Sequence, residues 1–253
     1  MKFLFKCFFL IFFLFSKEYS SLKDSLICQN LINETQNNFL KIKDYEVNIS
    51  VDLYMPAIRM PRSKYKVYYK YPNKVNVESK NFGVLPKAGL FESPLENFNN
   101  LEDKRLSNFK DSININDVII EGYAIFDSLK FISPNEYFKM LDTFVEVKID
   151  TANWVVKNVK ASILTRKNNV PLFEINNFYE STIDNFYLPT KSIAKYFIKD
   201  KKLSNWLNDD REDYIEKLTT AKNNNSDKIV EGRIEIFYSD YIINKGISDK
   251  IFK

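Results

Sequence analysis

Few side chains in this chain are placed to carry out covalent chemistry. Asp209, Asp210, Arg211, Glu212 and Asp213 form a run whose carboxylates could hold a metal ion or exchange protons. On a helix, consecutive residues fan around the axis instead of converging, so the run reads as a solvated face. Serine and lysine are plentiful, yet no Ser-x-x-Lys stretch stands in a catalytic setting. Histidine is absent. That removes Ser-His and Cys-His nucleophile pairs, an imidazole base poised near neutral pH and any His-ligated metal. The five glycines, Gly83, Gly89, Gly122, Gly232 and Gly246, are too scattered for a phosphate-cradling loop or a dinucleotide fingerprint. The expectation is a protein that is not an enzyme, with no catalytic residue, no metal and no cofactor.

Residues 1–21 read as a secretory signal peptide. Lys2 and Lys6 give the positive start, Cys7 to Phe15 the apolar run, and Ser16, Ser20 and Ser21 the small residues near a cleavage point. The apolar run is too short to span a bilayer; an uncleaved anchor is the alternative. Cleavage leaves residues 22–253 as a single domain, a length within the range of one β-barrel or sandwich. The formal charge of +4 then falls to about +2, with Lys and Glu interleaved along the chain. A nucleic-acid binder needs a concentrated basic face, so no nucleic-acid partner is expected.

Cleavage also removes Cys7 and leaves Cys28 without an internal disulfide partner. Leu26 and Ile27 precede Cys28, where lipidation would require a small residue. Cys28, Leu31, Ile32, Thr35 and Phe39 recur at helical spacing, which predicts a helix from about Asp24 to Leu40 with Cys28 as a small buried hydrophobe.

Beyond that helix the period changes to two. From Tyr45 to Leu53 every odd position is apolar and every even one polar, the pattern of a strand with one wet face. Tyr65, Val67 and Tyr69 alternate with lysines, and Pro72-Asn73 turns the chain into Val75 and Val77. Further strands are predicted at Val118 to Phe126, Val145 to Ile149, Val155 to Ile163, Ile193 to Phe197 and Val230 to Tyr238, with a hairpin at 150–153. A second helix is predicted where Leu203, Trp206, Leu207, Tyr214, Leu218 and Ala221 share a face, followed by a polar loop over 223–227. A large antiparallel sheet covered by two amphipathic helices follows. If the sheet curls, its apolar side either fills with its own side chains or holds a hydrophobic guest.

Four segments, in order, resemble the periplasmic outer-membrane lipoprotein carrier family, the LolA-like localisation factors. They are Val67 to Val75 with its Lys-x-Pro-Asn turn, followed by Ser79 to Gly89; Val147 to Asp150 through Trp154 to Val159; Asn185 to Thr190; and Ile236 to Ile247. The resemblance covers about residues 24–253. It implies a mainly β fold with covering helices, an incomplete antiparallel β-barrel (half-barrel) closed by an N-terminal helix and a late lid helix. It further implies a periplasmic monomer that carries lipid or the acyl chains of a lipid-modified protein between membrane-associated donor and acceptor proteins. Where carriers of the family place an Arg before the turn proline to latch the lid, this chain has Tyr71. Lys70 is adjacent but points to the opposite face of a strand, so the role does not pass to it.

A 16-carbon chain buried at about 0.8 kcal/mol per methylene is worth on the order of 10 kcal/mol before binding costs. An aromatic and aliphatic wall therefore suffices, and 22 Phe and 15 Tyr supply one at low torsional cost. The residues expected to line it are Tyr45, Val47, Ile49, Tyr65, Val67, Tyr69 and Ile236 from strands and Trp206, Leu207 and Tyr214 from the lid; each also suits plain core packing. The alternative to a carrier is an envelope signalling or structural module that uses the same fold with its core filled.

Overall fold

In the computed structural model, residues 25–55, 58–59, 61–79, 98, 101–107, 114–124, 141–166, 171–199 and 229–252 are described. The signal segment, the late helix with its 209–213 carboxylates, the 223–227 loop and most of the stretch from Ser79 to Gly89 lie outside them. Helix α1 spans residues 25–39. Cys28, Leu31, Ile32 and Thr35 form its buried face, as their spacing predicts, and the Thr35 hydroxyl donates to the Leu31 carbonyl at 2.7 Å.

Eleven strands follow among the described residues: β1 (Asp44–Met55), β2 (Ile58–Arg59), β3 (Ser63–Lys70), β4 (Lys74–Ser79), β5 (Leu101–Leu106), β6 (Asp117–Ala124), β7 (Leu141–Asp150), β8 (Val155–Thr165), β9 (Pro171–Ser181), β10 (Tyr187–Lys199) and β11 (Ile229–Ile243). They form one antiparallel sheet in the order β4-β3-β1-β11-β10-β9-β8-β7-β6-β5, with β2 paired to β1 off this path. The two outer strands do not pair with each other, so the barrel is incomplete, as expected. β2, β5 and β9 are additions to the strands read from the sequence. In β9, Leu172 and Phe178 fall on one face and Asn177 on the other, which blurs the alternation.

A bulge keeps β11 in phase with its neighbours. Its register against β1 shifts between Glu46 and Asn48, and Asp240 adopts φ 56° there. Ile236 and Tyr238 face inward before the extra residue, and Tyr241 and Ile243 return to that same cluster after it. In β10 Leu188, Ser192 and Ala194 are buried, while Ile193 is only half-buried. In the middle of that strand the inward positions are therefore small residues.

The buried residues form two clusters on the face covered by α1, hereafter the inner face. One gathers Tyr45, Val47, Ile49, Tyr65, Val67, Tyr69, Leu188 and Ile236. The other joins Cys28, Leu31 and Ile32 of α1 to Ile120, Val145, Val147, Ile149, Val159 and Tyr179. The opposite face carries a rung of Asp52, Glu235, Ile193, Asn176, Lys160, Glu146, Glu121 and Arg105 across eight strands. Its charges largely pair among themselves, as in Arg105–Glu121 at 2.7 Å and Lys191–Glu235 at 3.2 Å.

Candidate functional site

The inner face changes character along the strands, and three successive rungs show how. The first runs Ser63, Val51, Ile236, Ser192, Asn177, Val159, Val147, Ile120, Leu106. It carries no ionisable side chain and is buried from Val51 to Ile120. The second runs Leu53, Ile234, Ala194, Ile175, Ala161, Val145, Gly122. Leu53, Ile234, Ile175 and Ala161 in it are only half-buried. The third runs Gly232, Tyr196, Phe173, Ile163, Thr143, and its Tyr196, Phe173 and Ile163 are again half-buried.

The inner face thus passes from a closed core beside α1 to a partly exposed apolar surface at the far ends of β8 and β10. The rings of Phe173 and Tyr196 meet there, centroids 5.0 Å apart. Short side chains, Ser192, Ala194, Ala161 and Gly232, run through the middle of this surface between bulkier neighbours. Of these only Ala161 is partly exposed; the half-exposed apolar surface around them is hereafter the trough.

Of the expected lining residues, Tyr45, Val47, Ile49, Tyr65, Val67, Tyr69 and Ile236 come together on β1, β3 and β11, with Phe39 of α1 packed against them. All seven are buried; Val67 is 0 % exposed and Tyr45, the most open, 6 %. They form the closed end of the inner face. Trp206, Leu207 and Tyr214 lie outside the described residues. The half-exposed wall of Phe173, Ile175, Ile163 and Tyr196 was not anticipated from the sequence. Its signal was the odd-numbered series Phe173, Ile175, Asn177, Tyr179, which the paired asparagines interrupt.

Burial favours the neutral form of Tyr45, Tyr238 and Tyr241. Tyr45 stacks on Tyr69 at 4.9 Å and meets the edge of Tyr241 at 5.6 Å. Burial, and then neighbouring phenols, hold the Tyr45 and Tyr241 hydroxyls well above the usual range. Burial pushes Tyr238 up to about 12, partly offset by its hydrogen bond with Ser192 at 3.0 Å. Tyr241 donates to the Pro189 carbonyl at 2.7 Å and Tyr69 to that of Pro72 at 3.0 Å. Phenols tied in this way offer a guest area without charge.

Among the described residues no group of three or more acidic or cysteine side chains converges as metal ligands would. Tyr71 is exposed in the β3–β4 turn, with the Lys43 ammonium 5.7 Å from its ring centre. Lys70 turns to the other side, as strand alternation requires, and donates to the Ile247 carbonyl at 2.8 Å and to Asp249 at 3.0 Å. A cavity of about 160 Å³ also lies between the end of α1 and the β7–β8 and β9–β10 turns, lined by Asn38, Phe39, Trp154, Phe186 and Tyr187 among others. It falls below the size of ordinary ligand pockets, about 300–1,000 Å³.

Two solved structures resemble this arrangement. One is a LolA superfamily protein from Nitrosomonas europaea, 12% identical, with a TM-score of 0.48 over 89% of this chain and 96% of that one. The other is a domain assigned to outer membrane lipoprotein sorting from Vibrio parahaemolyticus, 12% identical, with a TM-score of 0.46 over 87% of this chain and 95% of that one. No protein-family model matches the sequence, and no curated protein sequence does.

Proposed function

We propose that this protein is a non-enzymatic carrier that binds the acyl chains of a lipid or lipid-modified protein on its inner face and moves them through aqueous envelope space. The observation that carries this reading is the trough, where Leu53, Ile234, Ile175, Phe173, Tyr196 and Ile163 stay half-exposed on the inner face, with the short residues Ser192, Ala194 and Gly232 buried between them. Contiguous apolar surface of this kind marks a contact for an apolar partner. The N-terminal segment, read as an export signal, and the ordered family resemblance in sequence agree with it. On this reading the chain is exported to the periplasm, and Tyr45, Val47, Ile49, Tyr65, Val67, Tyr69 and Ile236 form the closed wall against which a chain end abuts. Trp206, Leu207 and Tyr214 are assigned to the lid from their spacing in the sequence alone.

A second reading has an observation of its own. The seven expected wall residues on strands pack fully against one another, as they would in an envelope interaction module whose core is filled. The two readings differ in what Ala194→Phe does. If Ala194 borders guest space, the larger side chain occupies that space, leaves the urea midpoint nearly unchanged and abolishes saturable uptake of a fluorescent fatty acid. If the core is filled, the same substitution overpacks it and lowers stability by about 1–3 kcal/mol. Organic extraction of the purified protein followed by mass spectrometry gives the direct answer. A lipid-free protein with no saturable uptake sinks the carrier reading.

A further inference from the structure

Among the described residues the inner face carries few polar atoms, and three of its oxygens have no hydrogen-bond partner. They are the Tyr65 hydroxyl, the Thr143 hydroxyl and Asn177 Oδ1. Asn177 is the most informative, because it stands in the buried first rung, one rung inward from the half-exposed Ile175. Its cross-strand neighbours are Ser192 on β10 and Val159 on β8, and its side chain is on the face shared with Ile175 and Tyr179. Only 8 % of the residue is exposed. On the other face Asn176, one residue earlier, accepts from Asn158 at 2.6 Å. The neighbouring asparagine's oxygen is thus paired, and that of the asparagine on the inner face is not.

An unpaired buried carbonyl costs about 1–3 kcal/mol, which a leucine of similar shape would not incur. A donor brought by the guest would remove that cost. Beside it, Ser192 and Tyr238 share a hydrogen bond in which either oxygen can be the donor, so this pair can also offer a proton to a hydroxyl. A guest hydroxyl at this point would donate to Asn177 and accept from its neighbour. Along β9, Asn177 lies four residues beyond the half-exposed Phe173, about 13 Å at the rise of a strand. That depth corresponds to the middle of an acyl chain and not to its headgroup.

Building on the carrier reading, we propose that the trough is specific for acyl chains bearing a mid-chain hydroxyl, which Asn177 recognises. The test titrates the full chain with stearic acid, 2-hydroxystearic acid and 12-hydroxystearic acid, each displacing a fluorescent fatty acid. The 12-hydroxy acid is expected to bind about fivefold to tenfold more tightly than the other two, the gain of one hydrogen bond to an otherwise unpaired group. In Asn177→Leu the three affinities should converge to within twofold while stearic acid still binds. Equal affinities in the unsubstituted protein, as an ordered water on Asn177 would give, overturn the inference and leave the carrier reading standing. A preference that survives in Asn177→Leu also overturns it. Failure of all three acids to bind overturns both. Should Asn177→Leu not fold, the positional series in the unsubstituted protein decides alone, since a preference for 2-hydroxystearic acid or for neither isomer contradicts recognition at this depth.

Discussion

Gly122 in β6 has room for a hydrogen and nothing more. A Cβ there would stand 2.7 Å from the backbone carbonyl oxygen of Glu102, where β5 bulges between Glu102 and Arg105 and Asp103 takes φ 50°. Backbone cannot swing aside as a flexible side chain can, so Gly122→Ala must push the edge strand outward. A loss of about 1–3 kcal/mol in a urea titration is expected, with faster amide exchange over Leu101–Leu106. An unchanged midpoint and unchanged exchange would show that β5 is not held as tightly as this contact implies. The buried phenols give a second expectation at this scale. Tyr45, Tyr179, Tyr238 and Tyr241 all titrate above the usual tyrosine range, chiefly through burial. Their folded form holds its protons where the unfolded chain releases them, so their contribution is intact below about pH 10 and declines as pH rises above it. Tyrosinate absorbance should therefore develop in two stages, the later one together with unfolding.

The C-terminal segment is held to the start of the sheet by interactions that strand pairing does not supply. Asp44, buried at the head of β1, accepts the amides of Lys245 at 2.9 Å and Gly246 at 3.1 Å. Gly246 has φ +80°, a conformation that glycine adopts without strain. Farther on, a 3-10 turn over Asp249–Phe252 is tethered by Asp249, which pairs with both Lys70 and Lys74 at 3.0 Å. Hydrogen bonds from Lys74 and Lys70, and then their charges, hold the Asp249 carboxyl below the usual carboxylate range. A depressed folded value means that the tether is complete above the unfolded pKa of about 4 and lost as pH falls through the folded one. Proteolysis of this tail should accelerate below about pH 4, and Asp249→Asn should be equally susceptible at pH 6 and pH 3. A tail that stays protected at pH 3 in the unsubstituted protein would show that Asp249 is not what holds it.

At the scale of the whole molecule, stability is distributed unevenly over one continuous sheet. Central strands are paired on both sides and bury their inner residues under α1, whereas β4 and β5 each pair on one side only. The outer face adds little, because exposed ion pairs such as Arg166–Asp142 contribute about 0–1 kcal/mol each. Amides of β1, β8 and β11 beside the buried clusters should exchange only through global opening, while those of β4 exchange through local fraying. Uniform exchange across the sheet would contradict this gradient. Along these central strands burial also falls from the end beside α1 to the trough.

Local pattern was enough to read much of this. In β1 and β3 strict alternation names Tyr45, Val47, Ile49, Tyr65, Val67 and Tyr69 as one apolar face, and helical spacing places Cys28 inward, because a side chain's direction follows from the period of its own backbone. The absence of histidine and the scattered glycines excluded whole chemistries by composition alone. Three things depended on tertiary structure. The expected wall residues proved to be packed against one another, since an apolar face records only that it is covered and not whether protein or guest covers it. Ser192 and Ala194 of β10 point inward because its register with β9 and β11 sets that phase, against the larger Ile193. Asn177 became a candidate recognition residue only when β8, β9 and β10 were set side by side, since whether a carbonyl lacks a partner is decided by strands distant in sequence.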